Sequence, residues 1–270
     1  MDPMNSDLSR WYHHDLNPIA FTVGSWGLPW YWITYVLGWV VCAWFCYRYD
    51  RKVVGFIDRA QLFAARDEFL LWGWVGMMIG ARLAYIVVYN PNWYWNHPAE
   101  IPALWNGGMS FHGGFVGIIL AAYVVSRRRN IDFYLLTDPV AVIIPWILIL
   151  GRVSNFLNGE LPGRVTTVPW AIVFPPPFDG APRHPSQLYE AVTEGLAVGL
   201  ILLLARKKWS LRPGLLSLGF TGMYAGARFL TEFTREPDPQ IGLIAGFTMG
   251  QWLCVGMMLL VVYKLTYRGD

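Results

Sequence analysis

Four short stretches of this 270-residue chain concentrate side chains able to move protons or bind anions. The first is Gly107-Gly108-Met109-Ser110-Phe111-His112-Gly113-Gly114. An imidazole takes a proton near neutral pH, and glycines on both sides of His112 let backbone or ligand come close. The plainer reading makes His112 a helix-start residue and Gly113/Gly117 ordinary small-residue helix packing. The second stretch runs from Gly151 to Arg164 and holds Arg152, Asn155, Asn158, Glu160 and Gly163. Arg152 and Asn155 are three apart and share a helix face. A guanidinium fork with amides and a carboxylate is phosphate-binding chemistry.

The third stretch is Arg183-His184-Pro185-Ser186-Gln187-Leu188-Tyr189-Glu190, followed by Glu194. Glu190 and Glu194 lie one turn apart, and we expect them to neutralise a membrane arginine such as Arg82. His184 is either a site residue or a helix cap. The fourth is Tyr224, Arg228, Glu232 and Arg235. Positions 224, 228 and 232 line one helix face. This face is either an internal Arg228–Glu232 ion pair or a polar headgroup site. Tyr35 is a weaker candidate, since a buried tyrosine needs only some hydrogen-bond partner. Cys42, Cys46 and Cys254 read as packing residues. No His/Cys/Asp set has metal-ligand spacing.

The elements that must carry these residues follow from composition. The chain is 55% hydrophobic and 14% charged, against about 25% charged for a soluble domain. That excludes a soluble, a disordered and a disulfide-built protein. A net charge of +3 argues against nucleic acid as partner. A bilayer core about 30 Å thick needs roughly 20 apolar residues per helix. Seven such stretches are expected, at about 28–47, 69–89, 109–126, 138–157, 187–205, 213–231 and 244–264. Asp138-Pro139 reads as the opening of the fourth, and Pro145 predicts a kink in it.

The fold class is therefore an all-α polytopic membrane protein with about seven transmembrane helices. Residues 1–270 read as one transmembrane catalytic domain. The Pro- and Gly-rich segment 158–186 reads as a small exported cap insertion between spans four and five, with short strands near Thr166–Phe174. Loop 90–108, with Trp93, Trp95 and Trp105, should lie at the membrane interface.

Of the 21 basic residues, fourteen fall on one side: Arg48, Arg51, Lys52, Arg59, Arg66, Arg127, Arg128, Arg129, Arg206, Lys207, Lys208, Arg212, Lys264 and Arg268. By the positive-inside rule that side is cytoplasmic. The N-terminus, with Asp2, Asp7, Arg10 and Asp15, is then outside and the C-terminus cytoplasmic. No cleavable signal peptide is expected. The seven remaining basic residues are all arginines: Arg10, Arg82, Arg152, Arg164, Arg183, Arg228 and Arg235. Every histidine (His13, His14, His97, His112, His184) also falls outside. A mid-bilayer Arg costs about 2.5–3.5 kcal/mol on insertion scales, so Arg82, Arg152 and Arg228 need a reason to be there. Residue chemistry leads to a membrane enzyme or carrier holding an anionic headgroup from the outer leaflet. A secondary transporter would show paired repeats, which the chain lacks.

The same residues resemble one family, the prolipoprotein diacylglyceryl transferases. Its signature resembles Gly151, Arg152, Asn155, Phe156, Asn158, Glu160 and Gly163 as they stand here, with Ser154 where a smaller residue is usual. The stretches around His112 and His184 and the Tyr224/Arg228/Glu232 face resemble the family's in the same order. The resemblance implies transfer of the diacylglyceryl group of phosphatidylglycerol to the thiol of a lipobox cysteine in a prolipoprotein signal peptide. A thioether forms, glycerol phosphate leaves, and no cofactor or metal takes part. It implies catalytic roles for His112, Arg152, Arg228 and Glu160. Arg152, Asn155, Asn158, Gly163, Tyr35, Tyr224, Glu232 and His184 would bind substrate. His112 would be the base, with Glu160 or an arginine-lowered thiol pKa as alternatives. The place implied is the bacterial cytoplasmic (inner) membrane, multi-pass among membrane lipid, with the active site toward the periplasmic side.

Overall fold

A computed structural model describes residues 10–24, 26–48, 58–104, 107–237 and 242–267. Asp2, Asp7, Arg51, Lys52, Trp105 and Arg268 lie outside the described residues, and of Arg59 only the backbone is described. The chain is mostly helical. Its helices are α1 (Trp30–Arg48), α2 (Arg59–Tyr89), α3 (Pro91–Asn96), α4 (Phe111–Arg129), α5 (Phe133–Leu157), α6 (Ser186–Glu190), α7 (Val198–Trp209), α8 (Leu215–Thr231) and α9 (Met249–Thr266). A π-helical stretch, Ala191–Ala197, joins α6 to α7 into one 24-residue helix. Five of these helical segments are long and apolar enough to cross a membrane: α1, α2, α5, α6–α7 and α9. Large apolar side chains such as Val87, Leu204 and Val262 stand exposed on them, as lipid-facing residues do in a membrane protein.

The chain packs as two compact units. The first comprises residues 1–44, 141–209 and 215–270. Within it, Gly38 of α1 packs on Ile147 of α5, and Thr34 hydrogen-bonds Ser154 at 2.5 Å. Gly195 and Gly199 let the π stretch and α7 press on Pro145, Ile149 and Trp146 of α5. β6 (Leu243–Ile244) and β7 (Phe247–Thr248) pair antiparallel ahead of α9, where Thr248 and Gln251 form a capping box. β2 (Ile19–Val23) and β3 (Trp26–Pro29) form an antiparallel hairpin. A three-stranded sheet of order β1–β4–β5 joins Tyr12–His13, Ile172–Val173 and Pro182–Arg183. It sits on a small core of Trp11, Ala171 and Val173. The strand anticipated near Thr166–Phe174 thus reduces to the two residues Ile172–Val173, with Pro169 interrupting the stretch before it.

The second unit comprises residues 45–140 and 210–214. Its core joins Leu62, Ala65 and Phe69 of α2 to Ala122 and Val125 of α4 and Leu135 and Leu136 of α5. α2 and α4 cross at Gly76/Gly117 and Gly80/Gly113, where backbone meets backbone. This is the small-residue packing expected of membrane helices.

Three expectations are corrected here. Asp138 does not open α5: the helix starts at Phe133, where Asp132 accepts the Tyr134 N–H at 2.7 Å. Asp138 is wholly buried inside the helix, and its carboxylate accepts the Gly214 N–H at 2.8 Å. Arg66 is not a loop residue. It lies buried on α2 and donates to the Cys46 carbonyl at 2.9 Å, satisfying the C-terminal end of α1. Arg82 is not neutralised by Glu190 or Glu194. Its guanidinium is bonded to backbone carbonyls, and both carboxylates hold other arginines.

Candidate active site

α5 delivers Arg152 one turn past the Gly195 contact, and the π stretch delivers Glu194 beside it. A π turn widens the helix, and such bulges gather at functional sites. Arg152 Nη1 lies 2.8 Å from Glu190 Oε2, and Nη2 lies 3.1 Å from Glu194 Oε2. α8 brings Arg228 to the other oxygens of the same carboxylates, at 2.6 Å from Glu190 and 3.4 Å from Glu194. Arg228 also pairs with Glu232 at 2.5 Å, and Arg235 reaches Glu190 at 3.1 Å. Thr231 and Thr248 donate to Glu194 and Glu232 at 3.3 and 2.9 Å.

Three arginines and three glutamates thus form one neutral network. Glu190 and Glu194 are wholly buried. Buried charges persist only when paired and hydrogen-bonded, and here each of these two carboxylates is shared between Arg152 and Arg228. The result is two guanidinium forks held fixed. A cavity of about 120 Å³ opens beside Arg228, lined also by Glu232, Arg235, Glu236, Thr248 and Gly250 among others. Arg152 Nε, Asn158 Oδ1 and Gln187 Oε1 of this region are buried without a hydrogen-bond partner among the described residues.

The chain past α5 folds back on itself. Glu160 N–H bonds the Asn155 carbonyl at 2.9 Å, and Leu161 takes a left-handed φ of +54°. Ser186 donates to the Leu161 carbonyl at 3.0 Å, and Gln187 donates to that of Glu160. Gly163 donates to the His184 carbonyl at 2.8 Å and bridges Arg235. A Cβ on Gly163 would run into the Thr234 carbonyl and His184, so only glycine fits. The second and third sequence stretches therefore build one turn.

Tyr31 completes it. Its hydroxyl donates to Glu160 Oε2 at 2.7 Å and accepts from the Asn155 side-chain amide. Tyr35 is 56% exposed and meets this group only by stacking on Tyr31. Tyr224 is buried on α8 against Phe220. His184 Nδ1 lies 3.2 Å from the Tyr189 hydroxyl, and burial pushes its pKa below the ordinary 6.5. Nearby, Asp179 is held below the usual carboxylate range by the Ala181 N–H and Arg183.

The structure brings Arg152, Arg228 and Glu232 together, and separately Asn155 with Glu160. His112 belongs to the second unit, where it is the second residue of α4, half-buried, after the Ser110 cap. Sequence reasoning missed Tyr31, and for Glu190 and Glu194 it foresaw neutralisation of an arginine but named Arg82 where the partners are Arg152 and Arg228. A charge count held the signal for this: α5 and α8 contribute Arg152 and Arg228, and the helix between them in sequence contributes Glu190 and Glu194. Among the described residues no cluster of three His, Cys, Asp or Glu is placed to hold a metal.

The sequence model described as prolipoprotein diacylglyceryl transferase matches residues 18–267. A protein of Geobacter sulfurreducens named phosphatidylglycerol–prolipoprotein diacylglyceryl transferase is 45% identical over 252 residues, covering 91% of this chain and 92% of its own. One of Cupriavidus pinatubonensis with the same name is 42% identical over 260 residues, covering 94% and 92%. One of Rickettsia canadensis is 41% identical over 249 residues, covering 91% and 94%. On these matches, which run over nearly the whole chain, the chain is a membrane transferase and belongs to the prolipoprotein diacylglyceryl transferase family.

Proposed function

We propose that this protein transfers the diacylglyceryl group of phosphatidylglycerol to the cysteine thiol of a prolipoprotein lipobox. The thiol sulfur attacks the glyceryl carbon bearing the phosphate. The C–S bond forms, the C–O bond breaks, and glycerol phosphate leaves with the oxygen. The observation that carries this reading is the pair of guanidinium forks, Arg152 and Arg228, fixed by two shared buried carboxylates. Preorganised donors aimed at a developing anionic charge are usually the largest catalytic contribution. Here they bind the phosphate and stabilise the leaving group. The unused Arg152 Nε and Asn158 Oδ1 are a donor and an acceptor that a polar headgroup would satisfy.

Asn155, Glu160 and Glu232 position the headgroup and the arginines. Gly163 and His184 shape the turn they stand on, and Tyr35 and Tyr224 line the lipid. His112 takes the thiol proton, because the thiolate is the nucleophile; Glu160 or an arginine-lowered thiol pKa are the alternatives. The reaction needs no cofactor. With α4 and α8 added to the five long apolar segments, the chain makes seven spans in a bacterial inner membrane, N-terminus outside and C-terminus cytoplasmic. Residues 158–186 form the cap on the outer, periplasmic side, where the site opens.

The test is incubation of the purified protein with labelled phosphatidylglycerol and a cysteine-containing lipobox peptide. Label passes to the wild-type reaction's peptide. Arg152→Ala and Arg228→Ala each lose it while still inserting in the membrane. Near wild-type transfer by either variant would sink the phosphate-clamp reading.

A further inference from the structure

Arg82 is buried to 3% exposure on α2, and among the described residues its guanidinium donates hydrogen bonds to backbone carbonyls. Nε donates to the Ile101 carbonyl at 2.9 Å and Nη2 to that of Glu100 at 2.6 Å. Nη1 donates to Gly107 at 2.6 Å and Gly108 at 3.3 Å. The guanidinium carbon lies 4.9 Å from the centre of the Tyr94 ring. Carbonyl dipoles compensate a buried cation less well than a carboxylate does. Arg82 gathers four carbonyls from residues 100–101 and 107–108.

What that segment does is lead into α4. The carbonyl of Ala81, the neighbour of Arg82, accepts the Ser110 N–H at 2.9 Å. Ser110 then caps α4 by accepting the Gly113 N–H at 3.5 Å. Gly108 takes a left-handed φ of +72°, and a Cβ there would lie 2.9 Å from Arg82 Nη1. The chain on both sides of residues 105–106 is thus fastened to α2 just before His112.

We propose that Arg82 is a positioning residue for diacylglyceryl transfer: by binding the carbonyls of Glu100, Ile101, Gly107 and Gly108 it fixes the strap that sets the first turn of α4 and the aim of His112. The proposal rests on the reading of His112 as the base. A lysine cannot replace Arg82, because one ammonium point charge lacks the planar fork that reaches carbonyls on several sides. A strap about 1 Å out of place is enough to lower turnover about 100-fold.

The test uses the full-length protein in detergent with labelled phosphatidylglycerol and a lipobox peptide. Arg82→Lys is expected to lower kcat about 100-fold with KM for phosphatidylglycerol within about two-fold. Amide hydrogen exchange over 98–110 is expected to quicken in Arg82→Lys and to stay slow in His112→Gln, although His112→Gln also loses transfer. Gly108→Ala strains the same strap, leaves every charge in place, and is expected to lower kcat in the same direction. It carries the test alone if Arg82→Lys does not fold. Wild-type kcat in Arg82→Lys, a change in KM with kcat held, or unaltered exchange over 98–110 would each overturn the proposal. Transfer retained by His112→Gln fails the reading of the base, and fails the positioning proposal only if Arg82→Lys also retains transfer.

Discussion

Arg82 in one unit and Arg152 with Arg228 in the other are the same residue type, buried or half-buried, answered in opposite ways. Arg82 spends Nε, Nη1 and Nη2 on neutral carbonyls of one strap. Arg152 and Arg228 share the carboxylates of Glu190 and Glu194, Arg228 adds Glu232, and Arg152 keeps its Nε in reserve. A cation bonded to carbonyls is committed to the backbone it holds. A cation clamped by shared carboxylates is held in direction yet still offers donors to an incoming anion. The difference separates a fastening from a binding site without reference to conservation.

The largest expected effect breaks the carboxylate side of this contrast. Glu190 touches Arg152, Arg228 and Arg235 at 2.8, 2.6 and 3.1 Å. Glu190→Gln keeps the volume and removes the charge, leaving the buried Arg228 and the half-buried Arg152 and Arg235 against two glutamates. Removing one partner of a buried pair costs about 3–5 kcal/mol. We expect transfer to vanish and the thermal unfolding midpoint in detergent to fall sharply. A Glu190→Gln protein with wild-type unfolding and transfer would show that the shared carboxylates do not hold the forks.

A smaller effect sharpens how the signature turn is held. Tyr31→Phe removes one hydroxyl shared by Glu160 and the Asn155 amide. A hydrogen bond to a charged group contributes about 1.5–3 kcal/mol, so a drop in kcat/KM of at least about tenfold is expected. Tyr35→Phe, one turn further along α1, is expected to cost less in the same assay. A larger loss from Tyr35→Phe would return the role to the residue that the family resemblance implied.

That pair also shows how far the sequence could be read. Tyr31 and Tyr35 share one helix face by spacing, and only three-dimensional depth selects the one that reaches Glu160. Each of the seven apolar stretches falls on a helix, because a long apolar run has few other structures open to it in lipid. The four polar stretches were legible as chemistry for the same reason: polar residues in such runs are costly and rarely idle. Pairing was not legible. Glu190 and Glu194 carry no local sign that they face α5 and α8, and the π turn between them has the composition of ordinary helix. Asp138-Pro139 has the form of a helix start, yet a backbone N–H far along the chain, that of Gly214, claims the carboxylate.

The smallest expected effect concerns His184, a group outside the arginine network on the same turn. Burial lowers its pKa from 6.5, so the folded protein favours the neutral imidazole more than the unfolded chain does. The unfolded state therefore binds the proton more readily, and stability rises with pH wherever the two states differ in protonation. This contribution is complete above the unfolded value near 6.5 and is lost as pH falls through the depressed folded value. Protonation also disturbs the hydrogen bond with the Tyr189 hydroxyl at 3.2 Å whenever Nδ1 is its acceptor. Thermal unfolding in detergent between pH 7.5 and pH 5 should show a fall in midpoint that His184→Gln lessens. An identical fall in His184→Gln would assign the pH response to other groups and leave His184 as a backbone partner of Gly163 alone.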